Sequence, residues 1–233
     1  MKESGPIDKA KRYIESHTID ADSHRKKKGG PCITFSRQTG AGADRIGEKL
    51  IEYFERFNQE FVLFDKTLID KILEDNELPN KISTYFHEDK FPIISTTMNE
   101  LFGIHPPIVK LLRVSAKTML QIGQIGNVIL VGRAGNIVTA NLPNSFHVRL
   151  VAPLDVRITN MQTYYQMGHK EAANFVEKED KARENFVSAN YHKDVDDPTL
   201  YHIVVNVHAF SVDESAAVIG NAVMMKFPGW FEG

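Results

Sequence analysis

Cys32-Ile33-Thr34-Phe35-Ser36-Arg37-Gln38-Thr39-Gly40-Ala41-Gly42-Ala43-Asp44-Arg45 decides the fold. An apolar run, Cys32–Phe35, leads straight into a glycine-containing turn, and a helical pattern follows with Ile46, Leu50, Ile51, Phe54 and Phe57 on one side. A turn of this kind between a buried strand and a helix is suited to phosphate. Glycines let backbone N–H groups point inward, and the helix N-terminus adds a favourable partial charge. The complete phosphate-loop pattern is G-x-x-x-x-G-K-[ST]. Aligned on Gly42, this chain has Arg37 at the first glycine, Ala43 at the lysine and Asp44 at the hydroxyl residue. Read alone, the stretch also fits a ligand-free strand–helix turn. If phosphate binds over Gly40, Ala41, Gly42 and Ala43, then Arg37 and Arg45 are placed to replace the lysine, with Ser36 at the strand end. Asp44 either holds Mg²⁺ or, without a metal, repels the phosphates.

Outward from this stretch, four more short runs alternate with amphipathic segments: Phe61–Phe64, Val128–Val131, Phe146–Val151 and His202–Val207. Their length and β-branched content suit strands buried on both faces of a parallel sheet. Helices are expected at Thr67–Glu74, Pro107–Ile122 and Val212–Met225. The alternation predicts βαβ units in an open, doubly wound α/β sheet. Two segments break it. Residues 78–105 read as an irregular insertion, and Val156–Asn190 as a long charged helical region followed by a polar stretch to Pro198. Connections of this length are usually lids or disordered, and these would sit at the carboxyl edge of the sheet.

The chain has 233 residues, enough for one large domain with insertions. A net charge of −2 gives no ground for binding nucleic acid or an anionic membrane. The single cysteine, Cys32, excludes a disulfide framework and reads as a small buried hydrophobe. The histidines His87, His105, His169 and His192 lack ligand spacing. No apolar stretch of signal-peptide or membrane-spanning length occurs, so the expectation is a cytoplasmic protein. Residues 1–30 form a polar extension with a short helix around Ile7–Ser16 and a basic run, His24–Lys28, read as a solvated linker. The aromatic tail Phe227–Phe231 packs either on the core or on a second subunit of a homo-oligomer, and core packing is the expectation.

The ordered blocks resemble the cytidylate kinase-like proteins, P-loop relatives of the nucleoside-monophosphate kinases, whose first loop typically reads S-R-x-x-G-S-G-G. Here that block lies in Phe35–Gly42, with Ala43 at the last glycine of the pattern. The resemblance continues at Phe64-Asp65-Lys66, Val131-Gly132-Arg133-Ala134 and Val148–Arg157, then at Asp180–Arg183 and Asp197-Pro198…Tyr201…Val205-Asn206. It implies a three-layer α/β/α fold with a five-stranded parallel sheet over 31–233, a monophosphate-binding insertion at 78–105 and a helical lid at 156–198. It also implies ATP and Mg²⁺ as cofactors and a nucleotide as phosphoacceptor. Arg133 matches the arginine of a Gly-Arg-Asp motif that contacts the acceptor, although the aspartate is Ala134 here. Arg183 matches a lid arginine, and Arg157 a basic position opening the lid helix. The lysine is missing from much of this subfamily too.

Phosphoryl transfer needs in-line positioning and positive charge around the moving group, which arginines from separate segments supply. Asp180 and Arg183, three apart, share a helix face, as partners in the site or as a surface ion pair. Asp65 ends the second run, either as a substrate contact or as an N-cap. The expected activity is therefore transfer of the γ-phosphoryl group of ATP to a nucleoside monophosphate, with Arg157, Asp180 and Arg183 as catalytic residues and Asp65 and Arg133 as substrate contacts. The alternatives are a nucleotide-binding protein of this fold without turnover, favoured by Ala43, Asp44 and Ala134, and a kinase of a non-nucleotide small molecule.

Overall fold

A computed structural model describes residues 12–13, 30–65 and 106–231, with backbone alone for 106–111. Five strands form one sheet: β1 (Cys32–Arg37), β2 (Val62–Phe64), β3 (Val128–Val131), β4 (Ser145–Val151) and β5 (Ile203–Asn206). Their order is β2-β3-β1-β4-β5 and every pairing is parallel. The expected five-stranded parallel sheet is thus present, with β1 at its centre. Phe35 lies opposite both Val131 and Val148, while Arg37 extends further, opposite Leu150. The glycine turn therefore leaves from the middle of the carboxyl edge.

Helices α1 (Ala43–Glu55), α2 (Pro106–Ile125), α3 (Gly135–Val138), α4 (Leu154–Tyr165), α5 (His169–Tyr191) and α6 (Val212–Lys226) complete the layers. Alternation along the central strand divides the interior in two. Ile33 and Phe35 point to the side covered by α1 and α6, where Ile46, Leu50, Phe54, Ile219 and Val223 are buried. Cys32 points the other way, to Met119 and Ile122 of α2 and Val138 of α3. Cys32 is a buried hydrophobe as expected, and burial pushes its thiol up to about 12, which makes it inert.

α1 ends at Glu55 rather than Phe57, because Asn58 turns to a left-handed φ of 55° and leaves Phe57 37% exposed. The charged region beginning at Val156 is two helices. Gln166, also left-handed with φ 55°, breaks it before Gly168 caps α5. Ile158, Met161, Ala172 and Val176 give this pair a small core of its own. Further along α5, Val187 and Tyr191 pack instead on the α2 side of the sheet.

The aromatic tail packs on the core: Phe231 stacks on Phe54 with ring centroids 5.5 Å apart. In the N-terminal segment, Arg12 and Tyr13 are helical, Tyr13 packs against the α2-side core and its hydroxyl donates to the Gly126 carbonyl. The helix expected at Thr67–Glu74, the insertion at 78–105 and the basic run His24–Lys28 lie outside the described residues. Among the described residues, no helix is long and apolar enough to cross a membrane.

Candidate functional site

The turn after β1 is built around two left-handed glycines. Gly40 has φ 82°, and a Cβ there would stand 2.4 Å from the Arg157 carbonyl oxygen, so α4 can approach only because no side chain intervenes. Gly42 has φ 75° and begins α1, and a Cβ on it would meet nothing within 4 Å. It serves conformation, and it leaves space in front of the helix. Among the described residues, the amides of Gly40, Gly42, Ala43, Asp44 and Arg45 find no acceptor, and Ile46 is the first to bond back, to Gly42. Open amides at a helix start, in an open concavity, fit an anion such as phosphate.

The turn is held from behind. The Gln38 amide donates to Leu150, the Gln38 side-chain oxygen accepts from the Ala152 amide, and Asn160 of α4 donates to the Gly40 carbonyl at 2.8 Å. Thr39 is the junction with α5. Its backbone N–H and its hydroxyl both donate to Asp180 Oδ1 at 2.7 Å, and the hydroxyl also accepts from Arg183 Nη1. One amide of the turn thus already holds an internal carboxylate.

The structure brings the expected arginines to this region but in different states. Arg157 is 7% exposed and spends its donors on protein: Nε on the Ala152 carbonyl, Nη1 on the Thr39 carbonyl and on Asp180 Oδ2 at 2.5 Å. It acts as a strut between α4, the turn and α5. Arg183 bonds Thr39 and Asp180, with Glu179 at 3.7 Å, and burial pulls its guanidinium pKa down against the pull of those carboxylates. Arg37 has no hydrogen-bond or ion-pair partner among the described residues. Burial first, then Arg183, lowers it to about 10, while Asp44, Asp65 and Glu179 oppose. Its guanidinium lies over Gly132, where a Cβ would stand 2.2 Å from Nη1. A half-buried guanidinium without an acceptor is a strong anion ligand in waiting.

Arg45 lies over the ring of Tyr164 at 4.3 Å, in a cation–π contact that turns it toward α4 rather than into the turn. Ser36 is engaged too, accepting from Arg149 at 2.9 Å and from the Tyr201 hydroxyl at 3.2 Å. Asp44 opens α1 at the cleft, its carboxyl raised by the surrounding walls and by Asp65 and held back by Arg37. Among the described residues no group of three or more metal-ligating side chains occurs. One carboxylate beside a phosphate site does fit Mg²⁺, which is commonly held by one or two carboxylates together with substrate phosphates. Asp65 follows β2 and acts on both Arg37 and Asp44.

Arg133 follows β3 in a run of three left-handed residues: Gly132 (φ 88°), Arg133 (φ 52°) and Ala134 (φ 55°). Two of these carry side chains, a conformation costing on the order of 1–3 kcal/mol each that persists only where the surroundings impose it, as functional sites do.

Two clefts open here. One, of about 270 Å³, lies over the turn and is walled by Tyr164, Tyr165, Met167 and Phe175. The other, of about 540 Å³, lies between the ends of β1 and β4 and the α4–α5 pair. Arg37, Gln38 and Arg183 line both. Sequence reasoning passed over Thr39, Asn160 and Arg149. The first two carry no pattern of their own, since their role comes from what α4 and α5 bring near. Arg149 did leave a signal, as the one charge inside the apolar run Phe146–Val151.

The model of the cytidylate kinase-like family matches residues 32–209. Among solved structures, an uncharacterized protein from Eubacterium ventriosum is similar with a TM-score of 0.66 at 18% identity, over 84% of this chain and 98% of that one. At that identity the likeness concerns the fold. No curated protein sequence matches the chain.

Proposed function

The chain belongs to the cytidylate kinase-like family, and on that premise we propose that it is an ATP-dependent phosphotransferase acting on a nucleoside monophosphate, cytidylate first among them. One observation carries this reading: the open amides at the start of α1 and the unpartnered guanidinium of Arg37 face the same cleft. When bound, ATP with Mg²⁺ supplies the transferable phosphoryl group and part of the charge neutralisation. The amides of Gly42 to Arg45 hold the donor phosphates at the N-terminus of α1. Asp44 takes the metal side. Arg37 stands in for the lysine, and Arg183, released from Thr39, adds charge where it develops in transfer. Arg157 and Asp180 keep the turn and α5 in register, so their contribution is positional. Asp65 and Arg133, at the ends of β2 and β3, receive the acceptor at the carboxyl edge of the sheet.

A second reading, nucleotide binding without turnover, is favoured by the Thr39 N–H, which already holds the Asp180 carboxylate at 2.7 Å. ADP release measured with ATP, Mg²⁺ and a panel of nucleoside monophosphates separates the two. Turnover that falls at least about a hundredfold in Arg37→Met, as for loss of a charge-stabilising group, and disappears in Arg133→Ala supports the kinase. ATP binding with no turnover on any acceptor leaves only the binding protein.

A further inference from the structure

A separate cavity, of about 460 Å³, opens at the amino ends of β4 and β5, away from the carboxyl edge where the glycine turn lies. None of the residues lining it lines either cleft over that edge. Ser145 and His147 of β4 form one side, α3 and the turn after it another, and the segment leading into β5 closes it. The floor is apolar, with Ile137, Leu142, Pro143 and Leu200. Such a volume lies within the roughly 300–1,000 Å³ of small-molecule sites.

The charge around it is of one sign. Lys193 and Lys226 reach its rim, and no aspartate or glutamate among the described residues lines it. Neither ammonium has an ion-pair partner among the described residues. Lys193 does act on Asp197, but that carboxylate receives the Thr199 N–H at 2.9 Å and its hydroxyl at 2.6 Å, and stands outside the lining. Burial first, then Lys226, lowers the His202 pKa, and no carboxylate opposes them.

Two neutral donors complete the lining. Asn136 of α3 is 6% exposed, yet its side-chain amide has no hydrogen-bond partner among the described residues. A buried amide left unmet is costly, and one facing a cavity is met by what fills the cavity. The His202 ring is held in place: it stacks on Phe146 with centroids 5.0 Å apart, and its Nδ1 accepts the His147 N–H at 2.8 Å. The proton of the neutral ring therefore sits on Nε2, which has no acceptor among the described residues. Water would meet the amide and the imidazole, but it would leave two positive charges unbalanced. Solvated surface lysines alone need no ligand; a buried amide and a preset imidazole N–H beside them point to one.

We propose that this cavity is a second binding site, for a small organic phosphomonoester with an apolar body. Its phosphate, carrying a charge of about −2 near neutral pH, is matched by the two ammonium groups, with Asn136 and His202 Nε2 as further donors. The apolar body lies on Ile137, Leu142, Pro143 and Leu200. A monocarboxylate would leave one charge over. The site stands whether or not the carboxyl edge turns over a nucleotide.

The probe is phenyl phosphate, followed in the full chain by calorimetry and by the imidazole NMR signals of His147 and His202. Saturable binding should shift both ring signals, and should do so equally in Arg37→Met, which alters only the carboxyl-edge site. Replacing Lys193→Met and Lys226→Met together should weaken this binding at least about tenfold, as for lost charged hydrogen bonds. Asn136→Ala keeps both charges and should weaken it about threefold, as for one neutral hydrogen bond. Binding that leaves both rings unmoved overturns the proposal, as does an affinity unchanged in the double lysine variant or no binding up to about 10 mM. Benzoate, with the same ring and a single charge, should bind more weakly; equal affinity would overturn the choice of a phosphomonoester.

Discussion

His147 shows how much a single residue's surroundings change its chemistry. It is 5% exposed on β4, with Nδ1 at 2.8 Å from the Thr34 hydroxyl and Nε2 at 3.3 Å from that of Ser145, and its backbone N–H donates to His202 Nδ1. Burial first, then His202 and Lys226, lowers it from 6.5 to about 4. The folded protein therefore keeps this ring neutral where the unfolded chain takes a proton. Its contribution is complete above pH 6.5 and is lost as the pH falls towards 4. At about 1.4 kcal/mol per pH unit across that window, the loss amounts to about 3 kcal/mol. Urea unfolding at about pH 7.5 and about pH 4.5 should show it, with a flatter pH dependence in His147→Gln. An equally steep dependence in that variant would assign the effect to other groups. Nothing in the run Phe146–Val151 announces this role, because it depends on Thr34 from the neighbouring strand.

At the scale of elements, the junction of α4, α5 and the glycine turn depends on Asp180. Its carboxylate receives Thr39, Arg157 and Arg183, so removing it leaves Arg157 buried with its charge uncompensated. Asp180→Ala should cost about 2–4 kcal/mol, towards the lower end for breaking a buried pair because Asp180 is 28% exposed. Arg157→Met in the same chain should restore part of that, since the orphaned charge goes with it. The double-mutant cycle in urea checks this; additive losses would mean that the pair is not coupled. The spacing of Asp180 and Arg183 was legible as a shared helix face. That the face meets Thr39 was not, because the break at Gln166 that folds α5 back along α4 carries only a weak local signal in Gly168. The element types themselves were easier: the five apolar runs became strands within a residue or two, since period and β-branching act locally.

For the whole molecule, the two large cores share one sheet, whereas α4 and the first half of α5 have a small core of their own and are tied to the sheet edge by polar contacts to Thr39, Gly40 and Ala152. Opening free energies should follow that division. In native-state hydrogen exchange, amides of β1, β3 and β4 should be the most protected, and those of α4 and the first half of α5 should exchange earlier. The second half of α5, carrying Val187 and Tyr191, should follow the core. ATP should slow exchange in α4 and the first half of α5 if the donor binds over the turn. Uniform protection across α5 would refute the division.

The glycine turn on which the fold reading began keeps its meaning, with a narrower claim on chemistry. By itself the sequence determined the strand–helix alternation, the parallel sheet and the position of the turn, because hydrophobic period, β-branching and glycine conformation are properties of neighbouring residues. Only the tertiary structure decided which arginines are free. Arg157 is spent on Ala152, Thr39 and Asp180, Arg45 on Tyr164, while Arg37 is unengaged and Arg149 faces a cleft. A guanidinium's availability is set by the carbonyls and carboxylates that distant segments bring to it, and one-dimensional spacing does not encode those.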